Sequence, residues 1–320
     1  MRAVRILAPG EATVAEVSPP AVADGEQLVT VVSAAICTTD RKMTQRGVPL
    51  GRTLGHEVVG RLADGTPVGV HPDTGCGRCE QCAVGQTNRC AHIESIGIKR
   101  DGGFAGYVSA PRAHLVGLEG IDLRYAPLLE PFACCVHAVR AVGRISGPAV
   151  VVGAGAMGIF LMWALQAQGH EVAISQATED RRQQALNLGA QFVMTPQEDP
   201  TAVLGRAPGA IFVTAPGSEA LTWALERVAV GGAVHAFAGT PGGSLVDANL
   251  VHYRHLRLVG TTGSGVVDYR TARDLVAAGK VDLTRLPHRR ISLSQAPQAL
   301  AESGELQDLR VLIDISDADR

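Results

Sequence analysis

Four cysteines fall within fifteen residues as Cys76-x2-Cys79-x2-Cys82-x7-Cys90, and few uses other than a thiolate metal cage need that spacing. The stretch leading into them, Pro72-Asp73-Thr74-Gly75-Cys76-Gly77, is rich in turn residues whose glycines let backbone amides fold back toward sulfur. Tetrahedral coordination of one zinc by Cys76, Cys79, Cys82 and Cys90 is the reading this supports. A four-sulfur site is closed, so it serves the fold and leaves any chemistry to be found elsewhere. The alternative, two disulfides, requires an oxidising compartment. Nothing at the start of the chain suggests one, because Met1-Arg2-Ala3-Val4-Arg5-Ile6-Leu7 reaches Pro9-Gly10 before any apolar run long enough for a signal peptide. The expectation is a cytoplasmic protein with reduced thiols.

A second set of ligand types is dispersed. Cys37 ends an apolar strand pattern, Leu28 to Ile36, and is followed by Thr38-Thr39-Asp40, which sets a thiol beside a hydroxyl and a carboxylate. His56-Glu57 supplies an imidazole and a carboxylate side by side, and Glu130 stands among Leu128, Leu129, Pro131 and Phe132. A carboxylate in such apolar company needs a cation or a strong hydrogen bond to keep its charge. Cys37, His56 and one of the two glutamates make a three-ligand zinc site with an open fourth position, the pattern of a catalytic zinc. Which glutamate completes it stays open. Neighbouring side chains of an extended segment point to opposite faces, which turns Glu57 away from a metal on His56 unless the chain coils there. Cys134 and Cys135 lie in an apolar helical stretch and read as buried small hydrophobes.

The third constellation is Gly153-Ala154-Gly155-Ala156-Met157-Gly158, directly after the apolar run Ala149 to Val152 and directly before an apolar helix, Ile159 to Gln168. In that setting Gly153 permits the tight turn, Gly155 lets a pyrophosphate approach the backbone, and Gly158 allows close packing of helix on sheet. The expected contacts of a dinucleotide are Gly153, Gly155, Ala156, Met157 and Gly158, then Ser175, Gln176 and Arg181, and farther along Thr214, Phe237 and Thr261. Gln176 ends the second strand, where NAD-specific sites carry an acidic residue for the ribose hydroxyls. Without that charge a 2′-phosphate is not repelled, and Ser175, Thr178 and Arg181 offer it donors, whereas Glu179 and Asp180 oppose it. The expectation is NAD(P), with NADP modestly favoured.

These groups need two kinds of framework. With 320 residues, 46% of them hydrophobic, the chain can bury a large core and divides into two domains. A net charge of -2 provides no basic footprint for nucleic acid. Short strand patterns broken by Gly and Pro fill the first 120 residues, at Arg2 to Leu7, Thr13 to Val17, Gln27 to Ala35, Pro67 to His71, Phe104 to Ser109 and His114 to Val116. A helical pattern follows from Leu123 to Val142. Strands at Ala149 to Val152, Glu171 to Ser175, Ala210 to Thr214, Ala233 to Phe237 and Leu256 to Val259 then alternate with helices, including Ser218 to Val228 and Asp268 to Ala278. That alternation implies an α/β fold with a doubly wound parallel sheet. The tail, with Ile291 to Leu293, a helix over Pro297 to Ser303 and Arg310 to Ile315, resumes the β-rich style.

Taken in order, Cys37-Thr38-Thr39-Asp40, Gly55-His56-Glu57, the four-cysteine lobe, Asp101-Gly102-Gly103-Phe104, Leu129-Glu130-Pro131 and the cofactor glycines cover nearly the whole chain, and the sequence resembles the zinc-dependent medium-chain dehydrogenases. The Glu130-Pro131 pair is similar to the polyol, sorbitol and threonine dehydrogenase branch. The resemblance implies a GroES-like catalytic domain over residues 1–142, a Rossmann domain over 143–282 and a return to the catalytic domain over 283–320. It implies two zinc ions per chain and hydride exchange between a secondary alcohol and NAD(P). The implied substrate is a small molecule: a polyol, sugar, cyclitol or amino-cyclitol. Thr39 would pass the hydroxyl proton outward, Asp40 would orient His56, and either Glu57 or Glu130 would reach the zinc. Lys42 stands where many relatives carry a relay histidine, and the loop after Gly60 is shorter than usual in the family. A homodimer or homotetramer joined through the last strand of the nucleotide domain is implied, with no membrane or nucleic-acid partner. A non-catalytic zinc-binding protein of this fold leaves Cys37, His56 and the glycine motif without purpose, and a zinc-free quinone reductase does not need both cysteine sites.

Overall fold

The structure is a computed structural model that describes the whole chain except Gly47 and residues 303–307. Its strands, in chain order, are β1 (Arg2–Ala8), β2 (Glu11–Glu16), β3 (Glu26–Ile36), β4 (Glu57–Arg61), β5 (Pro67–Val70), β6 (Asp73–Thr74), β7 (Glu94–Ser95), β8 (Tyr107–Pro111) and β9 (Leu115–Gly117), then β10 (Ala149–Val152), β11 (Val172–Ser175), β12 (Phe192–Met194), β13 (Ala210–Val213), β14 (Ala233–Ala236) and β15 (Arg257–Gly260), and finally β16 (His288–Ser292) and β17 (Arg310–Asp314). Two compact units result. One comprises Met1–Ala133 with Ser264–Arg320, the other Cys134–Gly263. The sequence reading divides the chain at 142 and 283; the compact units divide inside the helix Leu129–Val142 and again just before the helix Val266–Ala277. That second helix joins the first unit because Tyr269 is fully buried against Gly69 and Arg273 donates to the Gly117 carbonyl at 2.8 Å.

The first unit is built on a sheet ordered β16-β17-β3-β4-β5-β9, with β8 also paired to β3. Its long strand β3 buries Val29, Val31, Ala34, Ala35 and Ile36, and the core around it includes Leu54, Val58, Phe104, Leu293, Leu300 and Ile313. The register of this sheet decides which side chains meet at its edge. Ala35 pairs with Glu57 and Ile36 with Val311, both antiparallel, so Cys37, Glu57 and Arg310 gather at one end of the sheet. The strand β4 has no counterpart in the sequence reading because its apolar run, Val58-Val59, stops at Gly60, where a Cβ would collide with the Thr30 carbonyl. The helix expected over Pro297 to Ser303 forms over Ala296–Ala301; Ser303 itself lies outside the described residues.

The second unit carries six parallel strands ordered β12-β11-β10-β13-β14-β15. Counted from β10 this is the order 3-2-1-4-5-6 of a Rossmann sheet, whose ligand crevice lies beyond the carboxyl ends of the strands where the order reverses. The helix Ala156–Gln166 is buried from Gly158 through Leu165, which accounts for its nearly unbroken apolar sequence. Among the described residues no helix is long and apolar enough to cross a membrane.

Candidate active site

Cys37 follows β3 and stands just ahead of the helix Thr38–Arg46. Its backbone N–H donates to Asp40 Oδ2 at 2.9 Å, half of a capping box that ties the first helical turn to the strand end. The other oxygen of Asp40, Oδ1, lies 3.2 Å from His56 Nδ1, and both groups are buried. Asp40 therefore holds the Cys37 backbone and the His56 ring together, leaving His56 Nε2 for another ligand. Burial disfavours a charged His56, yet Asp40 outweighs it and holds the imidazole pKa well above its usual value.

The extended path that would turn Glu57 away from His56 is interrupted just before His56. Gly55 has φ +101, a conformation reserved for glycine, and a Cβ there would meet Phe104 Cδ1 at 2.5 Å. His56 thus precedes β4, so strand alternation does not separate it from Glu57. The ligand atoms of Cys37, His56 and Glu57 all lie within 4.8 Å of one another. Glu130, in the first turn of the helix Leu129–Val142, is buried but stands outside that group of three. Both carboxyls are pushed up to about 7, in each case chiefly by burial. Thr39 is exposed on the same helix as Asp40, as is Lys42.

Sequence reasoning missed Arg310. It is buried, and its Nη1 donates to Glu57 Oε1 at 2.9 Å across 253 residues of sequence. Burial opposes its charge, but Glu57 and then Cys37 hold the guanidinium pKa above its usual value. The available signal was a single arginine opening an otherwise apolar strand, Arg310-Val311-Leu312-Ile313. A thiol, an imidazole and carboxyls whose charge burial disfavours match the donor set of a zinc ion.

The four-cysteine lobe is bracketed by the β6-β7 ribbon, which Ser95 Oγ closes by donating to Asp73 Oδ1 at 2.7 Å. Cys79 Sγ is 3.5 Å from Cys82 Sγ and 3.7 Å from Cys90 Sγ. Those separations are far beyond a disulfide bond of about 2.05 Å and close to the roughly 3.8 Å between sulfurs that sit about 2.3 Å from one tetrahedral zinc. Backbone N–H groups of Cys76 and His92 point at Cys90 Sγ, at 3.4 and 3.3 Å. The Arg78 backbone N–H draws the Cys76 thiol down to about 6, while burial pushes Cys82 up to about 11. Four sulfurs at this range, all ligand atoms within 4.8 Å, fit zinc.

In the second unit the Gly motif leaves β10 with Gly153 at φ +105, where a Cβ would stand 2.6 Å from Thr214 Oγ1. A Cβ on Gly158 would collide with the Gly153 carbonyl, whereas one on Gly155 would meet nothing within 4 Å. The open space at Gly155, at the N-terminus of the helix Ala156–Gln166, is what a pyrophosphate requires. Ala156 and Met157 are half-buried in its first turn. Gln176 Oε1 accepts from the Ala154 N–H at 3.0 Å and its Nε2 donates to Thr178 Oγ1 at 3.1 Å. Arg181 Nη1 donates to the Ala154 carbonyl at 3.4 Å, so Gln176, Thr178 and Arg181 border the glycine loop. Arg182 is instead committed to Glu179 and to the Gln176 and Ala177 carbonyls. Ser175, by contrast, is buried inside β11, with its hydroxyl away from solvent. Thr214, Phe237 and Thr261 follow β13, β14 and β15 along the carboxyl edge of the sheet.

Comparison with known proteins bears on the family and the fold. The family profile of the alcohol dehydrogenase GroES-like domain matches residues 23–120, and that of the zinc-binding dehydrogenases matches residues 156–278. The chain is 31% identical to L-galactonate-5-dehydrogenase of Escherichia coli K12, over 82% of this chain and 83% of that one. It is 30% identical to L-threonine 3-dehydrogenase of Pyrococcus horikoshii, over 85% and 86% respectively. Among solved structures, a zinc-binding dehydrogenase from Sinorhizobium meliloti 1021 bound to NADP superposes with a TM-score of 0.90 at 29% identity, covering 98% of each chain. The chain belongs to the zinc-dependent medium-chain dehydrogenase family, with the GroES-like and Rossmann architecture of that family.

Proposed function

We propose that this dehydrogenase interconverts a secondary alcohol and a ketone on a polyol, sugar, cyclitol or amino-cyclitol, with NAD(P) as hydride carrier. The observation that carries the reading is the cluster of half-buried Cys37 with buried His56 and Glu57, held by Asp40 and Arg310, in a chain that also keeps open space at Gly155. The E. coli relative is named for L-galactonate and the P. horikoshii relative for L-threonine, which supports a small hydroxylated substrate.

Cys37, His56 and either Glu57 or Glu130 would hold the catalytic zinc, and Cys76, Cys79, Cys82 and Cys90 the structural one, two ions per chain. The bound catalytic ion supplies a Lewis acid that lowers the pKa of the substrate hydroxyl. Asp40 fixes the orientation of His56 through Nδ1. Arg310 already engages Glu57, while the ligand atoms of Cys37, His56 and Glu57 lie within 4.8 Å of one another, so Glu57 and Glu130 both stay open as the third ligand. Replacing each by Gln and measuring zinc retention separates the two. Thr39, exposed at the start of its helix, takes the hydroxyl proton and releases it to water, so Lys42 need not replace a relay histidine.

The cofactor site is bounded by Gly153, Gly155, Ala156, Met157, Gly158, Gln176, Arg181, Thr214, Phe237 and Thr261. A modest preference for NADP rests on the neutral Gln176 and on Arg181, beside the glycine loop, and the NADP in the S. meliloti structure is consistent with it. Ser175 is too deeply buried to serve a 2′-phosphate, which leaves Thr178 and Arg181 as donors. We further propose a homo-oligomer joined through β15, the sheet edge, where Leu258 is exposed, and a cytoplasmic location. Turnover ranked over a panel of polyols, sugars and cyclitols tests the reading: a secondary alcohol oxidised with NAD(P) supports it, and uniform inactivity overturns it.

A further inference from the structure

His235 lies in β14 with no exposed surface, in a strand whose other core residues are Ala233 and Val234. Its ring stacks on Phe212 of β13, with centroids 5.6 Å apart and planes at 25°, and sits 5.8 Å from Phe237. An aliphatic side chain would fill that space without burying an imidazole, so packing alone gives no reason for a histidine. The ring is neutral, since burial pushes its pKa down to about 4. Its Nε2 is 3.1 Å from Thr261 Oγ1, and its Nδ1 has no hydrogen-bond partner among the described residues. Register pairs Ala236 with Gly260, so this bond runs from within β14 to the residue just past the end of β15.

That end of the sheet is where an open α/β fold receives its ligand. If the chain binds a dinucleotide as proposed, the glycine loop after β10 takes the pyrophosphate and the end of β11, at Gln176, takes the adenosine ribose. The other mononucleotide then falls to the half of the sheet formed by β13, β14 and β15. We propose that His235 is a positioning residue for the nicotinamide half of the cofactor site, acting by fixing the hydroxyl of Thr261. The aromatic neighbours set the ring plane, and the Nε2 to Oγ1 bond selects one side-chain rotamer of Thr261, whose half-buried position leaves part of it available to a ligand. A group ordered before binding spares the complex that ordering entropy.

The test compares the full-length protein with His235→Phe, which keeps the stack and drops the bond, His235→Gln, which keeps a polar group near Nε2, Thr261→Val, and the Phe/Val double variant. Binding of NADPH and NADH is followed by nicotinamide fluorescence, and binding of ADP-ribose, which lacks nicotinamide, by calorimetry. The expected result is a rise of about fivefold in Kd for the reduced cofactor in His235→Phe and Thr261→Val, the equivalent of about 1 kcal/mol, with partial rescue in His235→Gln. The double variant should be no weaker than either single one by more than about twofold, because both remove one interaction. ADP-ribose should bind all variants equally. Unchanged Kd for the reduced cofactor, additive effects, or equal weakening of ADP-ribose would each overturn the assignment. Failure of the parent protein to bind NADPH, NADH and ADP-ribose alike would instead refute the dinucleotide reading itself.

Discussion

Gly155 and Gly158 sit three residues apart in one loop, and alanine at the two positions should have opposite consequences. Gly155 has φ -77 and ψ -179, an extended conformation open to any residue, and an added Cβ meets nothing within 4 Å. Gly155→Ala should therefore leave folding stability unchanged or raise it by about 0.4–1 kcal/mol, through a less flexible unfolded chain. The same methyl occupies the space proposed for the pyrophosphate. Treated as overpacking, it should cost about 1–3 kcal/mol of binding, or about 5- to 150-fold in Kd for NAD(P)H. At Gly158 the added Cβ collides with the Gly153 carbonyl, which a rigid backbone turn cannot move aside cheaply. Gly158→Ala should lose stability by about 1–3 kcal/mol or more, with cofactor binding lost along with the loop geometry. Thermal unfolding and fluorescence titration of both variants provide the comparison. A destabilised Gly155→Ala, or one that binds NAD(P)H as tightly as the parent, would refute this reasoning.

The two thiolate sites should separate by metal content and stability: Cys37→Ser should lose one zinc and all turnover while melting near the parent temperature, whereas Cys79→Ser should also lose a zinc but melt markedly lower, because a structural ion contributes folding free energy. A parent protein that retains one zinc after purification without chelators would contradict the first half. His71 and His114 are buried with their Nδ1 atoms 3.2 Å apart, and burial pushes both pKa values down to about 4. The folded state excludes protons that the unfolded chain binds below about 6.5, so this stability is present above about 6.5 and is lost as pH falls toward about 4, by about 3 kcal/mol for one full titration. Urea midpoints for the parent should fall across that window more steeply than those of His71→Gln/His114→Gln, and parallel curves would show that the pair is not responsible. Gln176→Asp should shift the ratio of kcat/KM values toward NAD, and Arg181→Ala should weaken NADPH more than NADH; a strong NAD preference unaltered by Gln176→Asp would show that this position does not set the choice.

What could be read from the sequence was what lies close together along it. The four cysteines and the glycine motif are each defined within a few turns of chain, so spacing and neighbours sufficed. The ion pair of Glu57 with Arg310 joins residues 253 apart through the register of β3 with β4 and β17, and no local pattern encodes that register. His56-Glu57 was recognisable as a candidate ligand pair, but whether the two side chains come together depended on the positive φ at Gly55. The strand β12 escaped for a related reason, since three residues are too few to show a period. Ser175 illustrates the same gap at the level of one side chain, since its position at the end of β11 was clear and the face to which it pointed was not.

Zinc at the Cys37 site and a nicotinamide dinucleotide are held to work together on a secondary alcohol. That claim is tested most directly by following nicotinamide reduction with the best substrate of the panel, in protein as purified, after zinc removal by a chelator, and after zinc is restored. Turnover should be lost with the metal, regained with it, and absent from Cys37→Ser under all three conditions. Turnover that persists after the Cys37 site is emptied, or in Cys37→Ser, would contradict it.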